Sequence, residues 1–195
     1  MAQFKISAGA LAALLCLSAA PAFAQETKSG IGKLRKEANA MVGQMTRSLQ
    51  KELKRAIKEG GFVKAIDVCK TVAPSIAATL SEESGWGLRR TALKVRNPGN
   101  AADDYERDVL EKFVADLAAG AEAKKLQHAE IVEEDGAKVF RFMRAIPTGK
   151  VCLSCHGENI KDDVKAQLEK LYPEDQATGF KEGELRGAFS FSKKL

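Results

Sequence analysis

The chain has 195 residues and a formal net charge of +5 at pH 7, and 45% of its residues are hydrophobic. A chain of this length can bury a core of its own, so we expect one domain that does not need disulfides merely to fold. Its charged residues are interspersed, which is typical of solvated helix faces and argues against a nucleic-acid partner.

The first residues have the features of a secretory signal peptide. Lys5 supplies a short basic region, residues 6–17 form an apolar run, and the segment 22–24 (Ala-Phe-Ala) offers small residues for cleavage. The run is shorter than an ordinary transmembrane helix, and no second stretch of spanning length follows it. We therefore expect residues 1–24 to be a signal peptide, and residues 25–195 to form a single periplasmic domain without a transmembrane segment.

Two helical patterns follow the signal peptide. Apolar residues recur every three or four positions from Thr27 to Glu59, which predicts one long amphipathic helix that ends at Gly60-Gly61. A second pattern runs from Phe62 to Leu80 and places Cys69 on its apolar face. Pro74 must remove one intrahelical hydrogen bond, so we expect a kink or a break within a turn of Cys69.

The rest of the chain is predicted to contain four strands and two helices. The strands are expected over residues 87–95, 128–134, 137–146 and 184–191. The helices are expected from a cap at Asn100 or Asp103 to near Gly120, and over residues 161–171. Asp135-Gly136 predicts a tight hairpin between the second and third strands. Helices followed by an antiparallel sheet with helical crossings indicate an α+β fold.

The segment CLSCH, residues 152–156, fits the attachment motif for c-type haem. In this chemistry two thiols form thioether bonds to the vinyl groups of the haem, and the histidine that follows binds the iron. Covalent attachment takes place after export, which agrees with the predicted signal peptide. We therefore predict one haem c, with Cys152 and Cys155 as its covalent anchors and His156 as the proximal iron ligand.

The same residues are compatible with other sites. A structural disulfide between Cys152 and Cys155 would leave His156 incidental. A thioredoxin-like redox pair requires a strand-to-helix junction of an α/β fold, which this pattern does not supply. Zinc would need a fourth ligand, and Cys69 can complete a Cys3His set. The alternative prediction is thus an exported binding domain without haem, stabilised by zinc or by a disulfide.

The motif does not supply the second axial ligand of the iron. The candidates are a lysine, an empty position, Met41, Met45, Met143, His128 and Cys69. Methionines on amphipathic faces usually fill the core, and a histidine at the start of a hairpin strand usually lies at the surface. Cys69 has a stronger argument, because it is the thiol left over in an oxidising compartment, beside a proline that disturbs its helix. A buried, inert thiol is the alternative.

Arginines at and after the first predicted strand offer partners for the haem propionates. Arg89, Arg90 and Arg96 carry guanidinium groups, which match the geometry of a carboxylate. Solvated arginines on a surface strand are the alternative reading of the same residues. We single out Arg96 as the candidate.

Four stretches of the chain carry a family resemblance. They are AIDVCKTVAP at 65–74, RRTALKVRNPGN at 89–100, CLSCHG at 152–157 and YPEDQATGFKEGELRGAFS at 172–190. These stretches resemble exported or sensor-attached c-type haem domains, and the resemblance covers almost all of residues 25–195. It implies a PAS-like α+β fold, with a long N-terminal helix and flanking helices around an antiparallel sheet. It also implies histidine/cysteine ligation of the iron, with Cys69 as the second ligand.

The ligation implied by this resemblance limits what the haem can do. A thiolate donates electrons strongly, so the iron should have a low reduction potential. A six-coordinate iron leaves no open position for a substrate, so we expect no enzymatic activity, and peroxidase chemistry has the weakest support. The expected functions are low-potential electron transfer or redox or gas sensing. Either function requires a separate redox or signalling protein as partner.

Overall fold

The chain begins with a long helix and continues as shorter helices and an antiparallel sheet. A computed structural model describes residues 20–195. In chain order the elements are α1 (Ala20–Asp67), α2 (Ala73–Ser84), β1 (Gly87–Thr91), α3 (Asp104–Ala118), β2 (Gln127–Glu134), β3 (Ala137–Pro147), α4 (Leu153–His156), α5 (Asp162–Leu171) and β4 (Leu185–Lys194). Residues 1–19 of the predicted signal peptide lie outside the described residues, so export stays a prediction. Within residues 20–195, no helix has the length and apolar character needed to cross a membrane.

Helix α1 is interrupted at Gly60-Gly61, where the sequence predicts its end. Gly61 has φ 68° and ψ −164°, a conformation that is open to glycine and strained for other residues. Before this break, the apolar stripe of α1 is buried against the sheet, as the burial of Ala38 and Met45 shows. The apolar face of the predicted amphipathic helix is therefore part of the core.

Cys69 lies in a π-helical segment, Val68–Val72, between α1 and α2. The N–H of Ala73 donates to the carbonyl of Val68, five residues earlier. Pro74 has no N–H, so the next bond of this register, to the carbonyl of Cys69, cannot form. The break predicted near Cys69 is thus a widened turn of helix, a feature that is frequent at functional sites.

The four strands form one antiparallel sheet in the order β1-β4-β3-β2. On one face, Leu88, Phe191 and Phe142 occupy neighbouring strands in register, and their side chains pack with α1 and α2. On the other face, Met143 and Ala188 pack against α3. Helices on both faces of an antiparallel sheet confirm the α+β prediction and agree with the PAS-like arrangement that the resemblance implied.

Local signals predicted the hairpin and the start of α3 more accurately than the end of β1. Asp135 and Gly136 both have positive φ, 51° and 73°, as a two-residue type I′ hairpin requires. Asp103, rather than Asn100, caps α3, and it forms a reciprocal capping box with Glu106. Strand β1 ends at Thr91, four residues before the predicted end.

Candidate functional site

The CLSCH segment is helical and follows β3. A 3₁₀ turn, Lys150–Cys152, leads directly into the single turn of α4. The chain then becomes extended at Gly157, where a Cβ atom would lie 2.6 Å from the carbonyl oxygen of Leu153. Glycine at this position therefore lets the chain leave the helix close to its own backbone. Cys152, Cys155 and His156 are each partly buried.

One hydrogen bond orients the imidazole of His156. Its Nδ1 lies 2.7 Å from the carbonyl oxygen of Ala177, and Nδ1 must donate because a carbonyl only accepts. The lone pair is therefore on Nε2, which is the form in which a histidine binds a metal. Burial and the positive charges of Arg186 and Arg96 hold the pKa of His156 well below its usual value, so the imidazole is neutral.

Arg96 ties this motif to the loop that precedes β4. Its guanidinium is 7% exposed and lies 2.8 Å from Asp175 in a salt bridge. It donates to the carbonyl oxygen of Cys155 at 2.6 Å and to that of Ala177 at 3.2 Å. Its Nη1 approaches Nε2 of His156 at 3.4 Å. Arg96 therefore positions the motif through contacts within the protein, and its role as a partner of a haem propionate stays a prediction.

The π-helical segment brings Cys69 to the same part of the fold. Ile66, in the preceding turn, packs in one apolar cluster with Cys155 and Tyr172. Burial raises the pKa of the Cys69 thiol, against the opposing effect of nearby arginines, and Cys152 contributes to the increase. Burial also raises the pKa of Cys155 to about 11, and Cys69 adds to this increase. Cys69, Cys152 and Cys155 are thus close enough to affect one another's pKa. Their roles as haem anchors and iron ligand stay predictions.

The other candidates for the second axial ligand lie elsewhere. Met41 and Met45 are core residues of α1. Met143 packs against α3 on the opposite face of the sheet. His128 is its cross-strand neighbour and lies 2.8 Å from Glu130. None of the four belongs to the cluster around the CLSCH segment.

The residues that the structure describes form neither the zinc site nor the disulfide of the alternative predictions. Within residues 20–195, no group of three or more His, Cys, Asp or Glu side chains is arranged to hold a metal ion. Cys69, Cys152 and Cys155 are all free thiols.

One cleft lies beside Cys69, Cys152 and Cys155 rather than over them. It has a volume of about 880 Å³ and is lined by residues that follow the motif, by α5 and by the loop that starts at Tyr172. Neither a thiol nor the His156 ring lines it. We therefore locate the candidate site by the partly exposed thiols and imidazole, and not by the cleft.

Two further arginines make the region electropositive. Unlike Arg89, Arg96 and Arg141, which form salt bridges, Arg90 and Arg186 have no carboxylate partner among the described side chains. Burial lowers the pKa of both, that of Arg186 to about 10. The Nε of Arg186 is buried without a hydrogen-bond partner. This charge surplus beside Cys69 would be offset by a thiolate or by a bound acid.

The fold and the cluster define an α+β domain that presents a CxxCH histidine and a helical cysteine to one site. The sequence matches the Tll0287-like family over residues 25–193, so the chain belongs to the Tll0287-like family, and the family resemblance noted in the sequence is confirmed. Among solved structures it is similar to the crystal structure of the cyanobacterial heme-protein Tll0287, with a TM-score of 0.52 and 24% identity. The match covers 79% of this chain and 94% of that chain, and it supports the fold. A comparison with curated proteins found no match.

Proposed function

We propose that the chain is a monohaem c-type protein of the periplasm. Cys152 and Cys155 would hold the haem covalently, and His156 and Cys69 would bind its iron. The observation that carries the proposal is the hydrogen bond from Nδ1 of His156 to the carbonyl oxygen of Ala177. It supports ligation through Nε2, which keeps the lone pair. Membership of the Tll0287-like family supports the same choice, because the crystal structure of Tll0287 is described as that of a cyanobacterial heme-protein.

The residues around the site suit a group that is partly apolar and partly acidic. Phe180 lies edge-on to the ring of His156, with 6.3 Å between the ring centroids, and supplies apolar surface. Arg90 and Arg186 supply positive charge that has no carboxylate partner among the described side chains. When bound, haem supplies a redox-active iron, and the thiolate of Cys69 would hold that iron at a low potential. Burial of these side chains would limit the access of water.

Low-potential electron transfer is the role that the site supports best. Cys69 and His156 come from two different elements, and Ile66 and Cys155 beside them share one apolar cluster, so both axial positions would be occupied by protein. No substrate position is then needed, and the partner would be a redox protein that docks over the partly exposed motif. A second role, redox or gas sensing, is favoured by the π-helical turn that holds Cys69, because its missing backbone bond would ease release of the ligand.

Carbon monoxide distinguishes these two roles. We expect the absorption spectrum of the reduced protein to be unchanged by the gas, because Cys69 and His156 occupy both axial positions. The Cys69→Ala variant should bind the gas, which controls for its access to the iron. If the reduced wild type bound carbon monoxide as readily as this variant, electron transfer through a fixed six-coordinate iron would be wrong and sensing would be favoured.

A further inference from the structure

Arg186 and the proposed axial histidine both contact Phe180. The Arg186 side chain is at the start of β4, and its guanidinium carbon is 5.4 Å from the centroid of the Phe180 ring. Phe180 in turn contacts the His156 ring edge-on. One nitrogen, Nη1, donates to the carbonyl oxygen of Lys94 at 3.3 Å, while Nε is buried without a partner. The guanidinium is thus held in place with a donor unused.

Arg90 approaches the same site from the sheet. It pairs in register with Phe189, so it shares the face of the sheet that packs on α1 and α2. Arg89, the preceding residue, points to the opposite face and lies 3.7 Å from Glu106. Arg90 is partly buried and has no carboxylate partner among the described side chains. A guanidinium withdrawn from water is normally paired, so both arginines lack an expected anion.

We propose that Arg90 and Arg186 bind the two propionate carboxylates of the haem, an inference that rests on the proposed function. The planar donor fork of a guanidinium matches a carboxylate, and haem carries two such groups at one edge. Arg96, the candidate from sequence, already forms a salt bridge with Asp175 and donates to two carbonyl oxygens, so its charge is balanced within the protein. Two unpaired arginines for two carboxylates would balance the charge of the site.

The two arginines reach the site from different strands. Arg90 lies on β1, on the face of the sheet that packs on α1 and α2, and the segment with Cys69 lies between these two helices. Arg186 lies at the start of β4 and contacts Phe180, which packs on the ring of His156. We therefore assign Arg90 to the Cys69 side of the site and Arg186 to the His156 side.

Infrared spectroscopy of the haem-loaded protein tests this inference directly. Cells that carry the haem-attachment machinery would be fed 5-aminolevulinate labelled with heavy carbon at its carboxyl carbon, which marks the two propionate carboxylates. Label-sensitive bands in the redox difference spectrum should shift in Arg90→Leu and in Arg186→Leu, with a different band affected in each. They should stay unchanged in the matched control Arg89→Leu, on the opposite face of the same strand.

The reduction potential gives a second readout. Loss of one cation beside the haem makes reduction of the iron less favourable. Each leucine variant should therefore have a reduction potential about 59 mV more negative than that of the wild type, which corresponds to about a tenfold change in the ferric-to-ferrous equilibrium. Arg90→Lys and Arg186→Lys keep the charge, so they should restore the potential while the carboxylate bands still shift. These lysine variants also keep the test valid if a leucine variant does not fold.

Two failures have different meanings. Unmoved carboxylate bands in both leucine and both lysine variants, with normal haem content, would overturn the assignment of Arg90 and Arg186 and leave the proposed function intact. A wild-type protein without haem would instead overturn the proposed function.

Discussion

Replacement of Cys69 by alanine should abolish the low-spin ferric EPR signal of the haem-loaded protein and raise its reduction potential. Cys69 is the thiol that the π-helical segment brings to the CLSCH motif. Loss of a strongly donating thiolate leaves the iron with one protein ligand, His156, which favours high-spin ferric iron. The covalent anchors are untouched, so the haem content should not change.

Control variants make this result specific. His128→Ala removes the other described histidine, which lies beside Glu130 and next to Met143, and it should leave the spectrum unchanged. Met45→Leu tests a methionine of the α1 core in the same way. An unchanged low-spin signal in Cys69→Ala would rule out Cys69 as an iron ligand.

Removal of either member of the buried pair of Arg96 and Asp175 should destabilise the protein strongly. Arg96 and Asp175 are 7% and 10% exposed, so removal of one partner strands the other charge away from water. We expect Arg96→Met and Asp175→Ala each to lower the free energy of unfolding by about 3–5 kcal/mol, measured by urea denaturation. Arg96→Met also frees two carbonyl oxygens that it binds.

A double-mutant cycle separates this pair from general damage. The variant with both replacements leaves no stranded charge, so it should lose less stability than the sum of the two single variants. Lys112→Met, which removes an exposed pair with Asp116 at 3.2 Å, is the matched control and should cost only about 0.3–0.5 kcal/mol. Strict additivity of the Arg96 and Asp175 variants would contradict the assignment of a coupled pair.

Much of the candidate site was readable from the sequence because its signals are local. The CLSCH spacing identifies Cys152, Cys155 and His156 without reference to the fold. Helical periodicity puts Cys69 on an inward face, and Pro74 predicts the disturbed backbone beside it. The π-helical form of that break could not be predicted from the sequence. It depends on which carbonyl oxygen accepts from each N–H once the helices have packed.

The parts that sequence reasoning missed come from the loop before β4. Ala177 orients His156 through its carbonyl, an atom that every residue has and that no pattern marks. Asp175 acts only because the loop folds back under the motif to meet Arg96. Phe180, in the same loop, packs on the ring of His156, and Arg186 at the start of β4 contacts Phe180. These contacts join segments that are far apart in the chain. The loop has no periodic pattern from which they could be predicted.

The burial of Arg96 was not expected from the sequence, and it has a specific cause. The predicted strand over residues 87–95 would have left Arg96 in a surface turn. In the structure β1 ends at Thr91, and the N–H of Ala92 donates to the carbonyl oxygen of Asn100 at 3.1 Å. The chain therefore closes a loop that turns Arg96 inward. Alternation of residue types does not report where such a loop closes.

The intact mass of the mature protein, made in cells that attach c-type haem, tests the proposed covalent site most directly. The mass should exceed that of the polypeptide by one haem, and Cys69→Ala should keep this increment. Cys152→Ser with Cys155→Ser should lose it, since no thioether bond can then form. A wild-type mass without the haem increment would contradict the proposal and return the zinc and disulfide alternatives to consideration.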